Sequence, residues 1–439
     1  MPALMPVGPF KHCVSAEGKT FPYYIVPFDK DGQCEAPLTR QHLLDHLAGH
    51  TDVFFFSHGW NNGWEVASAR YANFIDGYTR QRTALGLKVP DNYNPLLVGI
   101  FWPSQALAWF DNETGPRFAG SIEEGREQVL DIAQSLPATQ REAFLTLAQT
   151  PRLTSQQAGE LAGILADALK SQHDDEGLQR SPPSAQDLLV SAIVAAEPEP
   201  DYDQFGVVRD VPQTPPTPAG VIDALKSLDP RQLIKPFTVW QMKDRAGKVG
   251  SAGVSRLLAD ILATNTEASV HLLGHSYGCK VVMSATANLP AGVRKIHSAL
   301  LLQPAISQYA FAEKIPDSTL QGGYRVNLAR ITRPVVATFS SRDSALSQAF
   351  HLALRRDLDL GEQPSPAGSP SKYGALGGFG PQPPQEPATY IKDPLDAYDF
   401  GAGGRVVGIQ GSRTISGHGD ISNPSTWWLA YSLASSQDA

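Results

Sequence analysis

The 439-residue chain has little cysteine, no basic cluster and no long apolar run. Three cysteines, Cys13, Cys34 and Cys279, exclude a disulfide framework; at most one Cys13–Cys34 bridge is allowed. Cys279 reads as a small buried residue. The formal net charge is −8, and Lys and Arg do not cluster. Phosphate binding needs such clustering, so nucleic acid is not an expected partner. No apolar run is long enough to cross a bilayer, so no transmembrane segment is expected. The first residues, MPALMPVGPFKHC, show no basic start followed by an apolar stretch. A standard secretory leader is therefore not expected. The default expectation is a cytoplasmic protein; export by a machine that reads no cleaved signal leaves the same pattern.

What is present is an ordinary globular composition, 42% hydrophobic and 18% charged. At about 150 residues per unit the length suits two or three units, or one large α/β domain with insertions. Short apolar runs at 52–56 (DVFFF), 96–101 (LLVGIF), 296–302, 334–339 and 405–409 read as strands covered on both faces. Residues 21–27 are bracketed by prolines and read as an edge strand. Residues 41–48 read as a helix. Its His42 and His46, with His50 beyond, recur every four residues, but without a Cys or carboxylate cluster they read as surface histidines. Residues 105–235 break the alternation. Four amphipathic windows there, around Val129, Phe144, Leu161 and Leu188, read as a helical insertion with Pro-rich connectors. Residues 361–399 are a second interruption, centred on a Gly/Pro-rich loop. The division is thus 1–104 and 236–439 as two parts of one α/β core, with 105–235 inserted.

The chain is organised around SVHLLGHSYGCKVVM, residues 269–283. A short apolar run leads into Gly274-His275-Ser276-Tyr277-Gly278 and then into a helical pattern. A strand that turns at once into a helix strains the serine at its tip, and glycine is needed at both flanks. The turn lifts the Ser276 hydroxyl clear of the sheet edge and aims the first helical amides, including that of Tyr277, at whatever the serine attacks.

Four strands end in Ser, His, Asp or Gly, where open parallel sheets place their sites. Asp343 follows the 334–339 strand and is the natural acid; Asp357, Asp393, Asp396 and Asp399 are competitors in or beside the loop region. His418 lies between two glycines beyond the last strand and is the preferred base. His275 and His351 are the alternatives, the first pointed away by alternation, the second in a helix. A serine hydroxyl is a poor nucleophile, so His418 would take its proton and Asp343 would hold the His418 tautomer. The turn after 52–56 carries His58, Gly59 and Trp60. The backbone N–H of Trp60, with Gly59 next, would join Tyr277 as oxyanion donors, each typically worth roughly 3–4 kcal/mol in kcat.

These residues resemble the α/β-hydrolases. More narrowly they resemble a little-characterised, mostly bacterial subgroup of serine hydrolases. Its motif order appears here as His58-Gly59-Trp60-Asn61-Asn62, Trp102-Pro103-Ser104, Gly274 to Gly278, Ser340 to Leu346, and His418-Gly419-Asp420-Ile421. The resemblance covers about 50–104, 237–346 and 403–435. It implies an α/β-hydrolase fold, with a mostly parallel sheet and helices on both faces, and a carboxylic ester hydrolase of the esterase or lipase type. Cofactor and metal are not implied. The expected partner is a small-molecule or lipid ester, with transient membrane-surface contact if the insertion is a lid. The departures are the long insertion and the long 361–399 loop. Other readings are a lipolytic, phospholipase-like effector, an amidase or peptidase using the same residues, and a binding protein on a hydrolase fold. Whether the insertion is a lid or a static cap, and the oligomeric state, stay open.

Overall fold

The computed structural model describes residues 7–14, 18–60, 62–88, 90–104, 122–169, 184–194, 228–316, 318–343, 346, 374–383 and 389–435. Its strands are β1 Lys11–Val14, β2 Thr20–Pro27, β3 Asp52–Ser57, β4 Pro95–Phe101, β5 Ser269–His275, β6 Ser298–Leu302, β7 Val335–Phe339, β8 Thr389–Tyr390 and β9 Val406–Gln410. They form one 9-stranded sheet in the order β1-β2-β4-β3-β5-β6-β7-β9-β8. Every pairing is parallel except β1 with β2.

The helices are α1 Pro37–Asp45, α2 Trp64–Ala84, α3 Ile122–Ser135, α4 Ala138–Ala148, α5 Ser155–Leu169, α6 Ala185–Val194, α7 Pro230–Val249, α8 Ser255–Thr264, α9 Tyr277–Ala287, α10 Asn327–Arg330, α11 Leu376–Phe379 and α12 Pro424–Ser435. No described helix is long and apolar enough to cross a membrane.

Alternate residues of each central strand feed opposite faces. Val53 and Phe55 of β3, with Val270 and Leu272 of β5, pack under α8 and α9. Phe54 and Phe56, with Leu273, pack under α2 and α12. Both faces are covered, which is why these strands read as continuous apolar runs rather than alternating ones. A π-turn, Gly250–Val254, joins α7 to α8. A Cβ on Gly250 would sit 2.4 Å from the Val281 carbonyl oxygen, so glycine there lets the chain lie directly against α9.

The four helical windows of the insertion are α3 to α6. They share a core of their own, built on Phe144, Leu161, Leu165 and Leu188. α7 spans the expected junction at 235: Leu233, Ile234 and Phe237 belong to that core, while Met242, Ala246 and Val249 belong to the sheet's. Arg245 of α7 reaches Asp131 of α3 at 2.5 Å and donates to the Pro103 carbonyl at 2.9 Å, just beyond β4.

Three local expectations change. The 21–27 strand is not the edge; the short β1 pairs with it and takes that position. The Cys13–Cys34 bridge is not formed, since all three cysteines are free. The 361–399 segment is not loop throughout: it holds β8 and the mostly buried α11, whose Leu376 N–H donates to the Ile306 carbonyl. The connectors at 170–183 and 195–227, and all of 347–373, lie outside the described residues.

Candidate active site

The chain crosses from β3 to β4 on one side and then places β5 on the other side of β3. That reversal opens a crevice at the C-terminal ends of β3 and β5. Ser57-His58-Gly59 and His275-Ser276-Tyr277 meet there.

Ser276 is the first residue past β5. Its φ is 56° and ψ −124°, a conformation L residues rarely take. The surroundings enforce it. Its N–H donates to the Leu302 carbonyl at 3.1 Å, and its carbonyl accepts from Ala305 and Cys279. A Cβ at Gly274 would fall 2.7 Å from the Cys279 Cα, and one at Gly278 would fall 2.1 Å from the Ser57 carbonyl oxygen. Both flanking glycines are thus required by close approach. α9 begins against the end of β3 because nothing projects from Gly278.

The Ser276 hydroxyl lies 2.8 Å from Nε2 of His418, and Nδ1 of His418 lies 2.8 Å from an Asp343 carboxylate oxygen. Asp343 is fully buried, while a quarter of the His418 side chain is exposed. The other Asp343 oxygen accepts the Leu346 N–H at 3.1 Å. Ser340 fixes the turn: its hydroxyl donates to the Ile415 carbonyl and its carbonyl accepts the Asp343 N–H. The competing acids sit elsewhere. Asp393 pairs with Arg413, Asp399 accepts from Gly401, and the Asp396 N–H donates to the Asp393 carbonyl. Asp357 and His351 lie outside the described residues.

The loop carrying His418 is clamped from behind. His275 Nε2 donates to the His418 carbonyl at 2.7 Å. Gln303 Nε2 donates to the same carbonyl at 3.1 Å and to that of Gly417 at 2.8 Å. Arg70 of α2 donates toward Nδ1 of His275 at 3.4 Å. His275 is therefore not a competing base. Burial, then the charges of Arg70 and His418, hold its pKa well below the usual histidine value, so it stays a neutral donor. Asp420 closes the loop by accepting the Ser416 N–H and hydroxyl, both at 2.9 Å. Burial raises its pKa, but the Ser416 and Asn423 hydrogen bonds outweigh burial and leave it lowered.

The His58 turn is as tightly built. His58 Nδ1 donates to the Gly59 carbonyl at 2.8 Å, and its Nε2 accepts the Trp102 N–H at 3.3 Å. The Trp102 indole N–H donates to the His58 carbonyl at 3.0 Å, and the two rings stack 6° from parallel. Asn62 donates to the Gly59 and Trp60 carbonyls, and its own N–H reaches the Ser104 hydroxyl. The Tyr71 hydroxyl accepts the His58 N–H at 2.7 Å. These bonds give His58, Gly59, Trp60 and Asn62 of the first motif, and Trp102 and Ser104 of the Trp-Pro-Ser motif, a physical role: they freeze one turn; Asn61 lies outside the described residues. The frozen turn sets Gly59 against the serine, where a Cβ would be 2.6 Å from that of Ser276. The Trp60 and Tyr277 rings meet edge-on at 6.3 Å. Among the described residues, neither the backbone N–H nor the indole N–H of Trp60 has an acceptor. Tyr277 opens α9, so its N–H lies outside the helix's own ladder. Burial pushes the His58 pKa down to about 4, against a smaller opposing effect of its bond to Gly59. It is neutral at physiological pH.

Sequence reasoning missed Gln303, Arg70 and Ser340 as supports. Gln303 carried a signal in its place, the first residue past the apolar run that forms β6; the structure adds a φ of 42° there. Arg70 carried none, because its partner lies 205 residues away.

No family model matches the chain, and no curated protein matches it.

Proposed function

We propose that the chain is a serine hydrolase of the α/β-hydrolase type that cleaves carboxylic esters through an acyl-Ser276 intermediate. One observation carries this reading: a serine held at positive φ on a strand-to-helix turn, hydrogen-bonded to a histidine that is hydrogen-bonded to a buried aspartate.

The steps follow from the geometry. Nε2 of His418 takes the Ser276 proton as Oγ attacks the ester carbonyl carbon. Asp343 accepts the Nδ1–H and stabilises the imidazolium. The carbonyl oxygen gains the negative charge and meets the amides of Trp60 or Gly59 and of Tyr277. Those amides are fixed before the substrate arrives, so they need not reorganise as charge develops. The alkoxide leaves with the proton from His418. Water then attacks the acyl group by the same route in reverse, releasing the carboxylic acid and restoring the Ser276 hydroxyl. In this reading the helical insertion caps the C-terminal edge of the sheet, as the bond from Arg245 to Pro103 supports, and shapes the acyl side of the pocket.

The test is hydrolysis of nitrophenyl esters from acetate to palmitate by wild type and Ser276→Ala. The expected result is turnover by wild type alone, and fluorophosphonate labelling at Ser276. A wild-type chain inert to every ester and unlabelled by the phosphonate would overturn the proposal.

A further inference from the structure

Arg70 of α2 stands beside the crevice that holds Ser276, and little of its bonding capacity is used. A guanidinium is a planar fork of N–H donors that keeps its charge at any physiological pH. Here one arm reaches Nδ1 of His275, at 3.4 Å. Nε and Nη2 have no acceptor among the described residues, and neither is sealed from solvent. Burial lowers the Arg70 pKa, and no carboxylate offsets that effect. A half-buried cation without a counter-charge is costly to keep unless a ligand supplies the charge.

The fork lies close to the reacting atoms. Gly59 links the two: a Cβ there would be 2.6 Å from that of Ser276 and 3.1 Å from Nδ1 of His275, the atom Arg70 reaches. On the other flank is Gly419, next to the general base. A Cβ on Gly419 would meet Nη1 and Nη2 of Arg70 at 3.9 and 4.0 Å. A longer side chain there would cover the fork; glycine leaves it open, and Gly419 is itself exposed. The acids of the region are engaged elsewhere. Asp420 accepts from Ser416 and Asn423, and Asp343 is fully buried behind His418. Glu65, in the first turn of α2, is exposed.

We propose that Arg70 determines specificity for an anionic ester, binding a carboxylate carried a few bonds from the scissile carbonyl. The inference rests on the hydrolase reading of Ser276 and adds the charge of the substrate to it. A guanidinium fork matches a carboxylate with two parallel hydrogen bonds. His58 and His275, the neighbouring basic groups, are both held neutral by burial. One fixed positive charge suits a monoanion better than a phosphate dianion.

The carboxylate can ride on the acyl or the alcohol half of the ester, and two substrate pairs distinguish these. Nitrophenyl adipate and its methyl ester carry or lack the charge on the acyl half. Meta-acetoxybenzoate and its methyl ester do so on the alcohol half. Wild type should favour the charged member of one pair by at least about tenfold in kcat/KM, the worth of one charge-assisted contact. Arg70→Gln should erase that preference, and Arg70→Lys should keep part of it. Arg70 also braces His275. Loss of the brace alone would slow both members of a pair equally and leave their ratio intact, and that result overturns the proposal. Gly419→Leu, at an exposed position, guards against misfolding of the Arg70 variants. Covering the fork should cut the preference several-fold, and a preference it leaves unchanged counts against Arg70 as the binding group. Turnover of both methyl esters with no preference for a charged partner overturns the proposal and leaves the hydrolase reading standing. Inertness toward all the esters, with Ser276 unlabelled by the phosphonate, ends both.

Discussion

At the C-terminal edge of the sheet, Ser276, His418 and Asp343 are linked by hydrogen bonds of 2.8 and 2.8 Å. At the N-terminal edge, Ser298, His271 and Asp52 are linked by bonds of 2.9 and 3.1 Å. The residue types are the same and the distances nearly so. What surrounds them differs. Ser298 opens a regular strand, β6, whereas Ser276 is forced to positive φ by three backbone bonds and two glycines. Ser298 meets Nδ1 of its histidine, and His271 lies stacked 4.8 Å from Phe54 and 1% exposed. The space beside it measures about 10 Å³, the room of one water at most. His418, by contrast, is partly open to solvent, and Trp60 beside Ser276 has donors without acceptors. A Ser–His–Asp chain is therefore not in itself an active site. The strained turn, the waiting donors and the access to solvent separate the two.

The sharpest break between the two ends is the nucleophile. In the proposed reaction Ser276→Ala should lower ester kcat by as much as about 10⁶-fold. Far-UV and near-UV spectra should be unchanged, since among the described residues the hydroxyl bonds only to His418. A loss below tenfold would mean that chemistry runs elsewhere.

The second prediction concerns the turn that faces Ser276. The folded chain keeps His58 neutral down to a pKa of about 4. The unfolded chain takes that proton near pH 6.5. Below that pH the unfolded state binds more protons, so stability contributed by the neutral ring is full above about pH 6.5. It is lost as pH falls toward 4, and the loss is about 3 kcal/mol. Urea titrations at pH 7.5 and 4.5 measure it. His58→Gln should flatten the slope by that amount, whatever its effect on absolute stability. An unchanged slope would show that the ring is not held neutral by burial.

Much of this was readable from the chain, and the reason differs from one part to another. The strands β3 to β7 and β9 announce themselves because a doubly covered strand must be apolar throughout. The strand-to-helix turn at Ser276 is legible because its two glycines answer to local backbone clashes. The insertion helices follow from their periodicity. The junction at 235 was less readable. Pro230 and Pro236 look like breaks, yet α7 starts at Pro230, where the missing N–H costs nothing, and continues through Pro236. The clamp on His418 was hidden for another reason. Arg70, His275, Gln303 and the 417–418 carbonyls come from four distant segments, and pairing at that range leaves no local pattern.

That clamp gives the third prediction. Gln303→Leu keeps the volume and removes both bonds to the 417–418 carbonyls. A displaced base costs up to about 10²-fold in rate. The loss should fall on kcat with KM unchanged, because Gln303 is fully buried behind the loop. A raised KM with kcat intact would make Gln303 part of the substrate pocket instead.

The smallest effect is the most informative for the comparison. Ser298→Ala removes the hydroxyl from the second chain and nothing else. His271 then loses one partner and keeps Asp52 at 3.1 Å. The expected cost is about 1–2 kcal/mol of unfolding free energy, that of one buried hydrogen bond left half-made. Ester turnover should stay within about twofold of wild type, because Ser298 opens β6 and only the far end of that strand, at the Leu302 carbonyl, touches Ser276. The two readouts pull apart only if the N-terminal chain is structural. A rate loss without a stability loss would give Ser298 a part in the chemistry, and the argument from its regular strand and closed surroundings would then fail.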